Sequence, residues 1–269
     1  MDDPALGACY DETSLWSARF GLFLLDELEL RGGRTVLDLG CGTGFPLFEL
    51  AHAHGPIGRF VGADVWAEGL RRAGTKATFY ALPNAALVRA DGARLPFRGG
   101  TFDLVVSNLG VNNFEDPRRA LSEIARLLRA GGLLALTTNL RGHMEEFYEV
   151  YRALLLEKAR PDWLARLEAN ASHRPDEATL VAMAEGADLR VTRLVRRRFT
   201  LRYLDGSALL RHALTWIGFL GGWRAVVDPE AEGAVFLELE RRLNEKAARE
   251  GSLGMTVPAL YLEAEKIAA

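Results

Sequence analysis

The apolar positions change period along the chain, and that change divides it into segments. Residues 13–30, TSLWSARFGLFLLDELEL, place Trp16, Phe20, Phe23, Leu24 and Leu28 at three- and four-residue steps, which predicts an amphipathic helix. Asp11 or Thr13 stands where its cap belongs, and Gly32-Gly33 where it stops. From residue 36 short apolar runs alternate with helical spacing. Strands are expected at 36–39, 59–63, 86–90, 102–107 and 133–138, with helices from Pro46, over 67–73 and from Asp116-Pro117 up to Gly131-Gly132. That alternation predicts an α/β fold with a parallel sheet and right-handed crossovers. After Thr138 the rhythm breaks: 143–172 has helical spacing and no strand, 175–184 reads as helix, 190–204 as strand, 206–249 as helix and 257–265 as a last strand. The expected division is therefore 1–32 helical, 33–140 core, 141–174 helical insertion, 175–204 core helix and strand, 205–252 helical cap and 253–269 terminal strand. Insertions of this kind commonly shape a substrate pocket.

The most informative stretch is 35–46, TVLDLGCGTGFP. Gly40, Gly42 and Gly44 follow the first strand at alternate positions, where they allow positive φ and leave no Cβ in a ligand's way. Pro46 suits a first helical position. Strand, glycine turn and helix start together present free backbone N–H groups to a small molecule. The dinucleotide pattern G-x-G-x-x-G fits poorly, because Phe45 stands where the third glycine belongs. A phosphate loop would need Gly-Lys-Ser/Thr, which is missing. The string resembles motif I, D-x-G-x-G-x-G, of the class I S-adenosylmethionine-dependent methyltransferases. An ordinary glycine turn in an α/β protein is the plain alternative.

Composition narrows the reading further. The 269 residues are 49% apolar and 26% charged, enough for a sizeable core. A net charge of −3 argues against a nucleic-acid surface as the main function. Cys9 and Cys41 give neither a disulfide framework nor metal spacing and fit a reducing cytosol; Cys41 reads as a small residue in the tight turn. The acidic start, Asp2-Asp3, is unlike a signal peptide, and the longest apolar runs fall far short of the ~18–20 residues of a membrane span. A soluble, cytoplasmic protein is expected.

Three carboxylates give the chemistry. Asp64, twenty residues after Gly44, is placed to accept both ribose hydroxyls of an adenosine. Asp91, in RADGARLPF, can accept the adenine amino group while the Gly92 and Ala93 amides face the ring nitrogens. Asp38 lies within the first strand, where an unpaired carboxylate is costly, so bonds to the glycine-loop amides and to a water or the cofactor ammonium are expected. Singly, Asp64 and Asp91 read as cap or turn residues. In series, VLDLGCGTG, VGADV, RADGARLPF, FDLVVSN and LLRAGGLLALTT resemble the ubiquinone/menaquinone-biosynthesis-like (methyltransferase type 11) branch of that family, strongly over 35–140. The resemblance implies a Rossmann-like, doubly wound seven-stranded sheet in order 3-2-1-4-5-7-6 with the last strand antiparallel. It implies S-adenosylmethionine as cofactor, S-adenosylhomocysteine as product and no metal. Gly40, Cys41, Gly42 and Gly44 would border its methionine part, Asp64 the ribose, Asp91 the adenine, Val65 and Trp66 the adenine face, and the Asn108 carbonyl the ammonium. Trp66 as core filler stays open.

The acceptor site is less legible. Family members often show a histidine near Asn112 or Asn113; here these asparagines orient a substrate or merely form a turn. Methyl transfer needs alignment above all, and an oxygen acceptor often wants a base. His143, His212 and Tyr10 are the candidates, with Tyr10 in a turn, 8–12, placed as a lid. Trp163, Trp216, Phe219 and Trp223 would line an apolar pocket or fill a core. Arginines 193, 196, 197, 198 and 202 read as an edge strand blunted by charge, or as a grip on an anion or RNA. The expected activity is methyl transfer to a small, partly apolar molecule, without nucleic acid as partner and with the oligomeric state open. The rivals are a macromolecule-directed methyltransferase, a nucleotide-fold oxidoreductase, and a non-catalytic S-adenosylmethionine-binding protein.

Overall fold

The computed structural model describes residues 4–12, 15–29 and 31–267. α1 (Pro4–Cys9) and a 3-10 turn (Tyr10–Glu12) lead to α2 (Ser17–Glu27). The expected helical face is present, with Phe20, Phe23 and Leu24 buried, but α2 starts later and stops before Gly32-Gly33. Asp11 does not cap it, because its carboxylate bonds elsewhere, and Thr13 lies outside the described residues.

Next come β1 (Thr35–Leu39), α3 (Leu47–His54), β2 (Arg59–Asp64), α4 (Ala67–Phe79), β3 (Ala85–Arg89), β4 (Phe102–Asn108), α5 (Pro117–Leu127) and β5 (Leu128–Asn139). Pro46 is the residue before α3 rather than its first. α4 runs six residues beyond the expected 73, since its buried face narrows to Gly69 and Ala73 and the periodicity fades before the helix does. α5 opens as its sequence predicts, with Pro117 first and the Asp116 carboxylate accepting from the Arg119 amide at 3.0 Å. Gly131-Gly132 does not end that segment. β5 already pairs at Leu128, and the glycines fall in an irregularity of register against β4.

The remaining elements are α6 (Glu145–Glu157), α7 (Pro161–Ser172), α8 (Glu177–Glu185), β6 (Leu189–Tyr203), α9 (Gly206–Arg211), α10 (Ala213–Gly218), α11 (Leu220–Arg224), α12 (Pro229–Glu250) and β7 (Leu253–Lys266). The sheet order is β3-β2-β1-β4-β5-β7-β6. Strands β1 to β5 pair in parallel, with Asp38 of β1 between Gly62 of β2 and Val106 of β4. β7 runs against both neighbours. Lys266 reaches the Leu128 carbonyl while the Leu140 amide reaches Pro258, and Ile267 meets Asp188 while Glu263 meets Thr192. This is the order and the antiparallel last strand that the resemblance implied.

Two compact units share the chain: Met1–Thr138, Glu177–Arg196 and Leu260–Ala269 form one, and Asn139–Asp176 with Arg197–Ala259 the other, so the division falls within β6 and β7. In the first unit Arg190, Arg193 and Arg196 of the edge strand β6 pair with Glu265, Glu27 and Glu177. Carboxylate pairs thus occupy Arg193 and Arg196 of the expected arginine cluster. In the second unit Phe147 stacks on Trp223 at 3.8 Å, and the Trp223 indole donates to the Tyr148 hydroxyl, which donates to Asn170 at 2.9 Å. Trp223 and Trp163 are core residues, whereas Trp216 is 70% exposed. Among the described residues no helix is long and apolar enough to cross a membrane.

α2 approaches the chain before α3 so closely that a Cβ on Gly21 would overlap the Phe45 ring. Gly21→Ala is expected to lower the melting temperature by roughly 5 °C through this overpacking. An unchanged melt would show that the contact yields without cost.

Candidate functional site

The glycine turn closes the carboxyl end of β1. The Gly40 and Cys41 amides both donate to the Ala63 carbonyl at the end of β2, at 2.8 and 3.3 Å, which ties the turn to the neighbouring strand. Gly40, Gly42 and Gly44 have φ of +81°, +51° and +98°. These angles favour glycine, and a Cβ on Gly42 would meet nothing within 4 Å, so that side of the loop faces open space. Asp64 holds the loop from β2. Its carboxylate accepts from the Gly42 amide at 2.8 Å and from the Trp66 amide at 2.8 Å. Two bonds leave an ionised carboxylate further acceptor capacity.

Asp38 departs from the expectation. The glycine-loop amides go to Asp64 and Ala63, not to Asp38, because Asp38 points from inside the strand beneath the loop. It is fully buried, and no donor stands in hydrogen-bonding geometry to either oxygen. Burial, then the nearby Asp64 charge, pushes its carboxyl up to about 8; the Leu47 amide at the head of α3 opposes this only in part. The same burial, with Asp38 and Asp64 beside it, raises the Cys41 thiol well above its ordinary value, so Cys41 is a small core residue and no nucleophile. A buried carboxyl opposed only by the Leu47 amide, in the strand that leads into a turn open at Gly42, fits a ligand carrying a cationic group.

Beyond β3, Asp91 forms a tight turn. Its carboxylate accepts from the Ala93 amide at 2.9 Å, so that amide is engaged locally instead of facing a ring nitrogen. Asp91 is exposed and Gly92 buried. Val65 is 54% exposed, while Trp66 is buried and packs over Gly69. The Asn108 side chain joins α2 to the sheet, donating to the Ser17 carbonyl at 3.1 Å and accepting from Thr137 at 3.0 Å. Asn113 donates to the Leu109 carbonyl at 2.9 Å, the bond of a turn former, beside the short 3-10 turn that contains Asn112. The spacing did not reveal Phe114. A Cβ on Gly110 would come within 2.9 Å of its ring, and Cβ atoms on Gly92 and Gly40 within 3.5 and 3.8 Å. Phe114 thus walls the crevice at the ends of β1 and β4; an aromatic residue in a polar loop was the available signal.

Tyr10 stands near Asp64. Its ring meets Trp66 edge-on at 5.1 Å, and burial, then the Asp64 and Asp11 carboxylates, raises its hydroxyl above the ordinary value. A phenol so placed is a poor base. His212 caps α10, its ring accepting from the Leu214 amide at 3.1 Å, and is no free base either. In the second unit His143 is 1% exposed, with its ring about 6 Å from those of Tyr148, His173 and Phe219. Burial, then the Arg174 and His173 charges, lowers it to about 3. It stays neutral at physiological pH, able to hydrogen-bond but weak as a proton acceptor.

Residues 37–136 match the family model described as a methyltransferase domain. Nocamycin O-methyltransferase of Saccharothrix syringae is 31% identical over 267 residues, 96% of this chain and 94% of its own. Demethylmenaquinone methyltransferase of Staphylococcus aureus is 30% identical over 142 residues, 53% of this chain and 56% of its own. Among solved structures, a SAM-dependent methyltransferase from Aquifex aeolicus superposes with a TM-score of 0.55 at 23% identity, over 72% of this chain and 92% of its own. At that identity the last likeness concerns the fold.

Proposed function

Because the chain belongs to the S-adenosylmethionine-dependent methyltransferases, we propose that it methylates an oxygen of a small, partly apolar molecule in the cytoplasm. The observation that carries this reading is the similarity to an O-methyltransferase along nearly the whole chain, helical segments of the second unit included. Similarity confined to the sheet would speak only for the cofactor.

S-adenosylmethionine supplies a methyl group already activated by its sulfonium. The chain's part is to bind, orient and exclude water, and alignment alone can lower the barrier by about 7–11 kcal/mol. Asp38, buried with neither oxygen in a well-formed hydrogen bond, would meet the cationic end of the cofactor. The open side of the loop at Gly42 would take the methionine part, bordered by Gly40 and by Gly44, which packs on Phe48, with Cys41 buried. Asp64 would accept the ribose hydroxyls. Val65, Trp66, Asp91 and the Gly92 amide would surround the adenine, and the Asn108 carbonyl would join Asp38 at the ammonium. Tyr10 serves as cover at the ribose end, not as a base. Asn112 and Asn113 are acceptor-side candidates in the first unit, and Trp216, exposed in the second, stays a candidate on its sequence alone.

Were His143 of the second unit to meet the acceptor, it would hydrogen-bond the hydroxyl as a neutral ring rather than ionise it. A ring lowered to about 3 is a weak base toward an ordinary alcohol. Accordingly kcat is expected to show no ionisation between about pH 6 and 7 that His143→Asn removes. A limb near 6.5 in the wild type, absent in the variant, would restore His143 as a general base. The function itself is tested by incubating the protein and labelled S-adenosylmethionine with a panel of small enols, phenols and carboxylic acids, with RNA and protein as controls. Label in RNA or protein alone would overturn the proposal. Binding without transfer to any acceptor would favour the non-catalytic reading.

A further inference from the structure

We infer that Asp11 is a latch: gripped at once by Thr43 of the glycine loop and by Arg72 and Lys76 of α4, it holds the segment Pro4–Glu12 against the ribose end of the cofactor site, and its release sets the rate at which spent cofactor leaves. The inference rests on the S-adenosylmethionine reading above. The geometry is specific. The Thr43 hydroxyl, 4% exposed between Gly42 and Gly44, donates to one Asp11 oxygen, Arg72 Nε reaches the other at 3.3 Å, and Lys76 Nζ reaches both at 3.3 and 3.2 Å. Arg72 and Lys76 are four apart and share one face of α4. One carboxylate therefore joins the short N-terminal segment to two elements that border the site.

The neighbouring residue shows what this grip positions. Tyr10 precedes Asp11 and carries its ring onto Trp66, beside the Asp64 carboxylate that also holds the Gly42 amide. Thr43 lies next to that same amide. Releasing Asp11 would free Tyr10 and the loop's middle residue together. α1 has six residues, too few to hold its place by helix formation alone, so the segment depends on its anchors. Those ionic anchors are only partly covered, with Asp11, Arg72 and Lys76 side chains 26%, 36% and 18% accessible. Salt weakens such pairs, unlike a packed apolar seam. A cover that must open for product release is drawn from contacts of this strength.

The test measures release of labelled S-adenosylhomocysteine from the full chain by chase with unlabelled ligand, for wild type, Asp11→Asn, Lys76→Met and the double variant. Asp11→Asn is expected to speed release by on the order of tenfold, and Lys76→Met by a few-fold. The double variant should release no faster than Asp11→Asn, because both changes break one contact. Raising salt from about 50 to about 500 mM should accelerate the wild type and leave Asp11→Asn unmoved, which loss of packing alone would not produce. Equal melting temperatures verify folding, and Lys76→Met carries the test if Asp11→Asn is unstable. Tight binding with unchanged release in both variants would overturn the latch and leave the cofactor reading standing. Failure of the folded wild type to bind S-adenosylhomocysteine would overturn both.

Discussion

Asp64→Ala is expected to weaken S-adenosylmethionine binding by about 100-fold or more, the largest loss that a single change in the cofactor site should cause. The carboxylate acts twice. It holds the glycine loop through the Gly42 amide and the start of α4 through the Trp66 amide, both at 2.8 Å. In the proposed complex it also accepts from the ribose. Hydrogen bonds to a charged group contribute roughly 1.5–3 kcal/mol each, so losing two of them amounts to a factor of at least about 100. Asp64→Asn should fall between, since its amide oxygen can keep one acceptor role. Isothermal calorimetry on the three proteins, with NADH as a control ligand, decides the matter. An alanine variant that binds within about threefold of wild type would remove Asp64 from the site.

Replacing Asp38 by asparagine should change how stability depends on pH. In the folded, unliganded protein the Asp38 carboxyl keeps its proton up to about 8, against an ordinary value of 3.8. Between those values the folded chain binds a proton that the unfolded chain has released, so stability falls as pH rises through the window. The full difference corresponds to on the order of 5 kcal/mol. Asp38→Asn removes this contribution, and its melting temperature should therefore fall less than that of wild type between about pH 5 and 8. A cationic ligand reverses the preference by favouring the ionised carboxylate. Binding of S-adenosylmethionine near pH 7 should then expel close to one proton, read as a binding enthalpy that changes with the ionisation enthalpy of the buffer. Parallel melting curves for wild type and Asp38→Asn, with no buffer dependence, would show that Asp38 is ionised throughout.

The sheet and the glycine turn were legible because both are written locally. A buried parallel strand reads as a short apolar run, and a turn requiring positive φ reads as glycine, so residues 36–44 and the positions of the five parallel strands followed from local pattern, while their order in the sheet came only from the family resemblance. Element lengths were less legible where tertiary pairing overrides local signals. β5 continues through Gly131-Gly132 because β4 pairs with Leu128, and α4 outlasts its apolar stripe. Side-chain partners were hardly legible at all. Nothing near Asp11 announces Thr43, Arg72 or Lys76, which lie 32 to 65 positions away. Asp38 shows the same limit: its strand position implied burial, but only the fold reveals that the loop amides already belong to Asp64 and Ala63.

The edge-on contact between Tyr10 and Trp66 has an optical consequence. A tyrosine ring 5.1 Å from an indole lies well within the range of resonance transfer, so light absorbed by Tyr10 emerges in part as Trp66 emission, less so as the rings move apart. Four other tryptophans contribute background: Trp163 and Trp223 are buried, and Trp16 and Trp216 are accessible in part or in the main. Subtracting the excitation spectrum of Tyr10→Phe isolates the pair. Release of the segment Pro4–Glu12, as proposed above, would separate the rings and lower this transfer, a readout that needs no attached dye.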